Sequence, residues 1–248
     1  MQFQTIQADA SGIPLYQVVS RALLAAIQAG KFKAGDALAS ETELSRAFGV
    51  SVGTLRKAVD ELVAQQILLR RQGRGTFVAT HTRDRFLFQF FQVQRRDGLK
   101  EFPVVETIDF EKGKAEALEA EQLKLKEGDA VFRLQNRLSL QGQAVVADRL
   151  CLPAHLFVGL NARRVKQRSS TLYHLYQTEF GITVVKANER LRAVSCSREA
   201  AKVLGITAGA SVIELRRLAI GLNDHPVEYR VSTIDTSHHD YVSQLAPS

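Results

Sequence analysis

The 248-residue chain has no tryptophan, one methionine, five prolines and two cysteines. Cys151 and Cys196 have no CxxC spacing and no neighbouring histidine, which suggests neither a zinc site nor a disulfide framework, so both read as buried apolar thiols. No stretch approaches the roughly 20 consecutive apolar residues of a membrane helix, and the first fourteen residues lack the basic start and apolar run of a secretory leader. A cytoplasmic protein without membrane contact is therefore expected. Hydrophobic residues make up 45% and charged residues 24% of the chain. That balance excludes a disordered or collagen-like chain and leaves room for one large domain or two ordinary ones. No cofactor is expected.

What the chain has in excess is positive charge, +7 in all, which invites an anionic partner. The excess is concentrated. Residues 44–78 hold Arg46, Arg56, Lys57, Arg70, Arg71 and Arg74 against only Asp60 and Glu61. From residue 81 onward, 24 basic residues face 20 acidic ones, a far weaker field. The anion-binding face is therefore expected near the N-terminus.

Periodicity there is helical. Pro14 suits a first helical position, and Leu15, Val18, Val19, Ala22, Leu23, Ala26 and Ile27 recur at three- and four-residue steps until Gly30. Ser40 and Glu43 form an S-x-x-E capping box that opens a short helix through Leu44, Ala47 and Phe48, which Gly49 ends. Ser51 caps a third helix with Leu55, Ala58, Val59, Leu62 and Val63 inward and Arg56 and Lys57 outward. Residues 67–71 and 76–79 read as strands joined by Gln72-Gly73-Arg74-Gly75, where glycines supply the positive φ a tight hairpin needs. A phosphate cradle at Gly73-Arg74-Gly75 is disfavoured, because such loops open a helix and this one opens a strand. The whole is a winged helix-turn-helix pattern.

Residues 37–79, ALASETELSRAFGVSVGTLRKAVDELVAQQILLRRQGRGTFVA, resemble the DNA-binding domain of the GntR family of bacterial transcription regulators. The resemblance implies that the first turn of the third helix meets base edges in the major groove, which makes Ser51, Val52, Gly53, Thr54, Arg56 and Lys57 the candidates and Arg56 the strongest. Ser40 and Thr42 at the second helix, and Arg71, Gln72, Gly73, Arg74 and Gly75 of the wing, complete the expected set. Arg74 would reach the neighbouring minor groove. Arg70 and Arg71 read equally as a solvated edge that discourages strand pairing. The family often carries arginine where this chain has Thr42 and Val52, so two guanine readers are missing, and Val52 is suited instead to a thymine methyl. An operator unlike the family's commonest is expected.

The segment 80–97 begins polar and then carries Phe86, Phe88, Phe90 and Phe91, read as packing into a second core. Beyond it the pattern predicts strands at 104–110, 130–140, 144–152, 185–195, 211–222 and 226–235, with helices at 114–122, 171–179 and 198–204. The class is α+β, with an antiparallel sheet in the second half. Expected boundaries are 1–80 for the DNA-binding domain, 81–92 for a linker and 93–248 for the remainder.

The motifs STLYHLYQTEFGI (170–182), NERLRAV (188–194) and LRRLAIGLNDHPVEYRVS (215–232) resemble the UTRA effector-binding domain of the HutC subfamily of that family, a chorismate-lyase-like fold. The resemblance implies a small-molecule pocket on one sheet face and homodimerisation through this domain. It places Glu228 at a pocket-facing position. Strand alternation then sets Arg230, Ser232 and Ile234 on the same face. Asp148 falls at a pocket acid and Thr171 at a hydroxyl opening a helix. Asn136 and Leu138 stand where basic groups are common in relatives that bind phosphorylated sugars. Without those clamps a sugar phosphate is less favoured, although Arg230 and Thr171 could hold a carboxylate or phosphate. An internal salt bridge of Arg230 with Glu228 or Asp148 is an equal alternative. His238-His239-Asp240 is expected in an exposed loop.

These readings converge on a homodimeric repressor that binds a palindromic operator on double-stranded DNA and is released by a small-molecule effector, a carboxylate or another anionic metabolite. The alternative is an enzyme of chorismate-lyase-like fold fused to a DNA-binding domain. A purely architectural DNA binder is disfavoured, having no need of so large a second domain.

Overall fold

The computed structural model describes residues 12–81 and 90–243, without the side chain of Asn223. The chain divides into two compact units, one up to Thr80 and one from His81. The expected phenylalanines Phe86 and Phe88, and most of the expected linker, lie outside the described residues. His81, Phe90 and Phe91 are buried within the second unit.

The first unit comprises helices α1 (Leu15–Gln28), α2 (Glu41–Phe48) and α3 (Val52–Ala64), followed by strands β1 (Leu68–Arg71) and β2 (Gly75–Val78). Pro14 stands just outside α1 as its N-cap at φ −55, a value its ring imposes. The capping box forms as expected: Glu43 N–H donates to Ser40 Oγ at 3.2 Å and Ser40 N–H to Glu43 Oε2 at 2.9 Å. Gly49 closes α2 at φ 69, a left-handed conformation that costs side-chain-bearing residues ~1 kcal/mol or more. Val19, Leu23, Leu44, Phe48, Leu55 and Leu62 are at most 2% exposed, each worth about 1.5–3 kcal/mol of burial. The wing is an antiparallel pair running from Leu68↔Val78 to Arg71↔Gly75. It gains a bridge from Ala37 to Phe77 that the sequence pattern did not reveal, since a single bridged residue has no period.

The second unit is built on six antiparallel strands: β4 (Val104–Lys114), β5 (Ala130–Leu140), β6 (Gln143–Pro153), β7 (Val184–Ser195), β8 (Ser211–Gly221) and β9 (Pro226–Ile234), in the order β4-β5-β6-β9-β8-β7. A small ladder pairs β3 (Val93–Arg95) with β10 (His239–Tyr241). His239 therefore sits in a strand and is 6% exposed, which corrects the expected loop. Helices are α4 (Ala117–Leu123), α5 (Ala162–Lys166), α6 (Leu172–Phe180) and α7 (Arg198–Leu204). The expected helix at 114–122 starts later because β4 stays paired to Lys114↔Ala130, and Glu116 with Glu119 forms the capping box that opens α4.

Period-two alternation divides the sheet's residues between two faces. One carries Phe132, Leu134, Leu150 and Leu152 beneath α6, where Tyr173 and Tyr176 are at most 1% exposed. The same face carries a second apolar cluster of Leu138, Leu140, Val146, Leu215 and Ile234 against Phe91 and Val93. On the opposite face Cys151 and Tyr229 pack against Ala120 and Leu123 of α4, and Ala147 and Cys196 pack against Ala201 and Leu204 of α7. Both thiols are buried and free.

Candidate functional site

In the first unit, Ser51 caps α3, its Oγ accepting from Thr54 N–H at 3.1 Å and lying 2.9 Å from Thr54 Oγ1. Val52, at 37% exposure, is a large apolar side chain facing water at the first residue of the helix. Gly53, also exposed, has only Ser51 Oγ near the position a Cβ would take, at 3.8 Å. Arg56 and Lys57 lie on the exposed side of α3. Lys57 Nζ stands 4.3 Å from the centre of the Tyr16 ring, a cation–π contact. Ser40 and Thr42 flank the start of α2, with Ser40 committed to its cap. At the wing, Gln72, Gly73 and Arg74 form the exposed tip, Gly73 at φ 69 and Gly75 at φ 102. Arg71 lies 4.7 Å from the centre of the Phe77 ring. The ambiguity over Arg70 resolves into ion pairs with Asp60 at 2.5 Å and Glu41 at 3.3 Å. Glu41 also pairs with Arg56 at 2.8 Å. Its hydrogen bond and charge raise the Arg56 pKa further, so Arg56 is cationic at every relevant pH.

In the second unit, cross-strand register brings Thr107, Asn136, Asp148 and Ser232 into one row across β4, β5, β6 and β9. Arg230 lies one step along β9. Its Nε donates to Glu228 Oε1 at 2.9 Å, Nη2 to Glu228 Oε2 at 3.1 Å and Nη1 to Asp148 Oδ2 at 3.0 Å. Ser232 Oγ donates to Asp148 Oδ1 at 2.5 Å. The hydroxyls of Tyr173 and Tyr176 donate to the two oxygens of Glu228 at 3.2 and 2.7 Å. Burial, then the charge of Glu228, push both phenols well above their ordinary range, so they remain donors. For Arg230, burial acts against the charge, but Glu228 and Asp148 more than offset it and raise its pKa. Of the two roles open to Arg230 in the sequence, the structure has the internal ion pair. Beside it, Arg217 donates from Nε to Glu189 Oε1 at 2.6 Å and from Nη2 to the Phe90 carbonyl at 2.5 Å.

This network corrects one expectation: Glu228 is fully buried and closed in by its partners rather than facing open space. The open space lies next to it. A cavity of about 360 Å³ is walled by Phe102, Val105, Leu138, Asp148, Arg168 and Thr171. Leu138, Asp148 and Thr171 were expected there, whereas Ile234 and Ser232 line a separate void of about 20 Å³ that also touches Leu138 and Asp148. Thr171 opens α6, its hydroxyl accepting from His174 N–H at 3.1 Å. Asn136 is 1% exposed, and its Oδ1 has no hydrogen-bond partner among the described residues.

Arg168 was not anticipated. Its Nη1 donates to Thr107 Oγ1 at 3.3 Å and to the Val165 carbonyl at 2.5 Å. Its Nε has no partner among the described residues. Burial, and secondarily the charge of Arg230, depress its pKa, yet a guanidinium stays charged in any protein. Strand alternation could not find it, because it lies in the loop before α6. Its only signal was a basic residue three positions before a helix-capping threonine.

A positively charged winged helix-turn-helix unit followed by an antiparallel sheet with a buried polar row describes a family, and comparison with known proteins identifies it. The UTRA domain model matches residues 100–240, and the model of bacterial regulatory proteins of the gntR family matches residues 15–78. The chain belongs to the UTRA-bearing GntR family of transcription regulators. It is 29% identical over 218 residues to a protein named the probable fructoselysine utilization operon transcriptional repressor of Escherichia coli, covering 86% of this chain and 87% of that one. It is 26% identical to the HTH-type transcriptional regulator SmoD of Agrobacterium fabrum, covering 94% and 97%. The ligand-binding domain of a GntR-family regulator from Bordetella bronchiseptica superposes with a TM-score of 0.60 at 29% identity, over 64% of this chain and 98% of that one. These relatives of the GntR-family chain are transcription regulators, not enzymes, and no described helix is long and apolar enough to cross a membrane.

Proposed function

We propose that this GntR-family chain acts in the cytoplasm as a homodimeric repressor. Two copies of α3 enter the two halves of a palindromic operator, and an anionic small molecule bound beside Asp148 releases the DNA. Serine, threonine and backbone amides at the start of α3 suit phosphate contacts, while Val52 and Arg56 suit base edges. A two-fold dimer and a palindromic site fit each other by symmetry.

The observation that carries the effector reading is the pairing of the arginines around the polar row. Arg230 and Arg217 are each held by carboxylates, but no carboxylate among the described residues pairs with Arg168. An anion on Arg168 and the start of α6 would complete that charge, and a hydroxyl or ammonium on the same ligand would face Asp148 across the cavity. This moves the expected anion anchor from Arg230 to Arg168, while Glu228 and Arg230 form a fixed floor.

The test is DNA selection from a randomised pool by the full chain, followed by footprinting. A protected two-fold symmetric site supports the reading; binding without sequence preference refutes it. Fluorescence anisotropy on the selected DNA then compares sugar acids and sugar phosphates with their neutral parents. Release by an acid form that Arg168→Met abolishes is expected. Equal release by neutral sugars would exclude the anionic effector.

A further inference from the structure

Glu41 is an anomaly in a surface offered to DNA. Its carboxylate, 28% exposed, projects from the first residue of α2, where phosphates would repel it. Yet it is held firmly. The Nε and Nη2 of Arg56 converge on Oε2 at 2.9 and 2.8 Å. Oε1 takes the Nη2 of Arg70 at 3.3 Å, and the Nη1 of Arg70 is fixed in turn by Asp60 at 2.5 Å. One carboxylate therefore links α2 to a guanidinium from α3 and another from the wing strand β1. The capping box at Ser40 and Glu43 anchors the backbone that carries it, and the N-terminal end of α2 favours a negative charge there.

We propose that Glu41 is the positioning residue that makes Arg56 a reader of bases rather than a collector of phosphates. This rests on the assignment of α3 as the DNA-reading helix. Two consequences of the geometry support it. Glu41 occupies the Nε edge of the guanidinium, which limits its rotation and leaves the outward edge for a bidentate contact with a guanine. Arg56 carries that task with little help, since Thr42 and Val52 lack guanidinium groups. The same carboxylate also withdraws two arginines from indiscriminate phosphate binding, the term that dominates non-specific affinity. Glu41 thus lowers affinity for any DNA and raises the ratio between right and wrong sequences.

The experiment uses the full chain, a duplex selected from a randomised pool and a scrambled duplex of the same length. Anisotropy titrations at several salt concentrations compare wild type with Glu41→Gln and Glu41→Asp. Glu41→Gln is expected to bind the scrambled duplex more tightly and to lower the selected-to-scrambled ratio about tenfold. Its plot of log affinity against log salt should steepen by about 1, as a freed arginine finds a phosphate. Glu41→Asp keeps the charge but falls short of Arg56, so the ratio should drop while the salt slope stays near wild type. A Gln variant with wild-type thermal melting, ratio and slope overturns the proposal. If the Gln variant does not fold, an unchanged ratio in the Asp variant overturns it instead. A wild-type chain that selects no sequence defeats the DNA-reading assignment itself, a result distinguishable from both.

Discussion

Arg230 lies between Glu228 and Asp148 in surroundings where none of the three is more than 5% exposed. Two negative groups share one positive group, and the balance is completed by hydroxyl donors from Tyr173, Tyr176 and Ser232. Breaking such a set by removing one partner costs more than the set contributes intact, because uncompensated charge stays buried. Arg230→Met should therefore destabilise the second unit by about 3–5 kcal/mol, and Tyr176→Phe by about 1–3 kcal/mol, both read from urea unfolding midpoints. A midpoint unchanged in Arg230→Met would show that the ion pairs do not hold the sheet face. Strand alternation made the shared face of Glu228, Arg230, Ser232 and Ile234 legible, since register follows from period two. It could not say which of them meet open space, because that depends on how α6 settles over the sheet. For the same reason Arg168, in a loop without a period, was missed.

Elements with their own start and stop chemistry were the most legible. A capping hydroxyl at the start and a left-handed glycine at the end mark α2, α6 and α7, and these signals are local. The five-residue α5 and the three-residue β3 and β10 are too short for periodicity; β3 and β10 form by pairing with each other, and α5 starts on the Asn161 side chain. The start of α4 was misplaced because β4's pairing extends to Lys114, a competition no local pattern reports. At this scale the junction of α4 with β5 carries a pH prediction. Burial pushes the Glu119 carboxyl up, but hydrogen bonds from Arg133 and Glu116 and the charge of Arg133 more than offset it and leave its pKa lowered. The folded value lies below the unfolded one, so the stabilisation is present above the unfolded pKa and is lost as pH falls through the folded one. Urea midpoints should decline between about pH 5 and pH 3, and less steeply in Arg133→Met. Identical slopes in the two proteins would assign acid sensitivity elsewhere.

For the whole molecule, most of the charge asymmetry was readable from residue counts, and it places the DNA-facing chemistry in the first unit. A homodimer predicts twice the mass of one chain by light scattering when free, and two chains plus one duplex when bound to a duplex carrying both half-sites. One chain per duplex would contradict the two-fold arrangement. Arg56, exposed on α3 and paired with Glu41, is the residue proposed to read sequence. The decisive measurement is the affinity of the full chain and of Arg56→Ala for a selected duplex and for a scrambled one, across a range of salt. A loss of about 1–3 kcal/mol on the selected duplex, with a much smaller loss on the scrambled one, is predicted. Equal affinities of the two proteins for the selected duplex at every salt concentration would contradict the account.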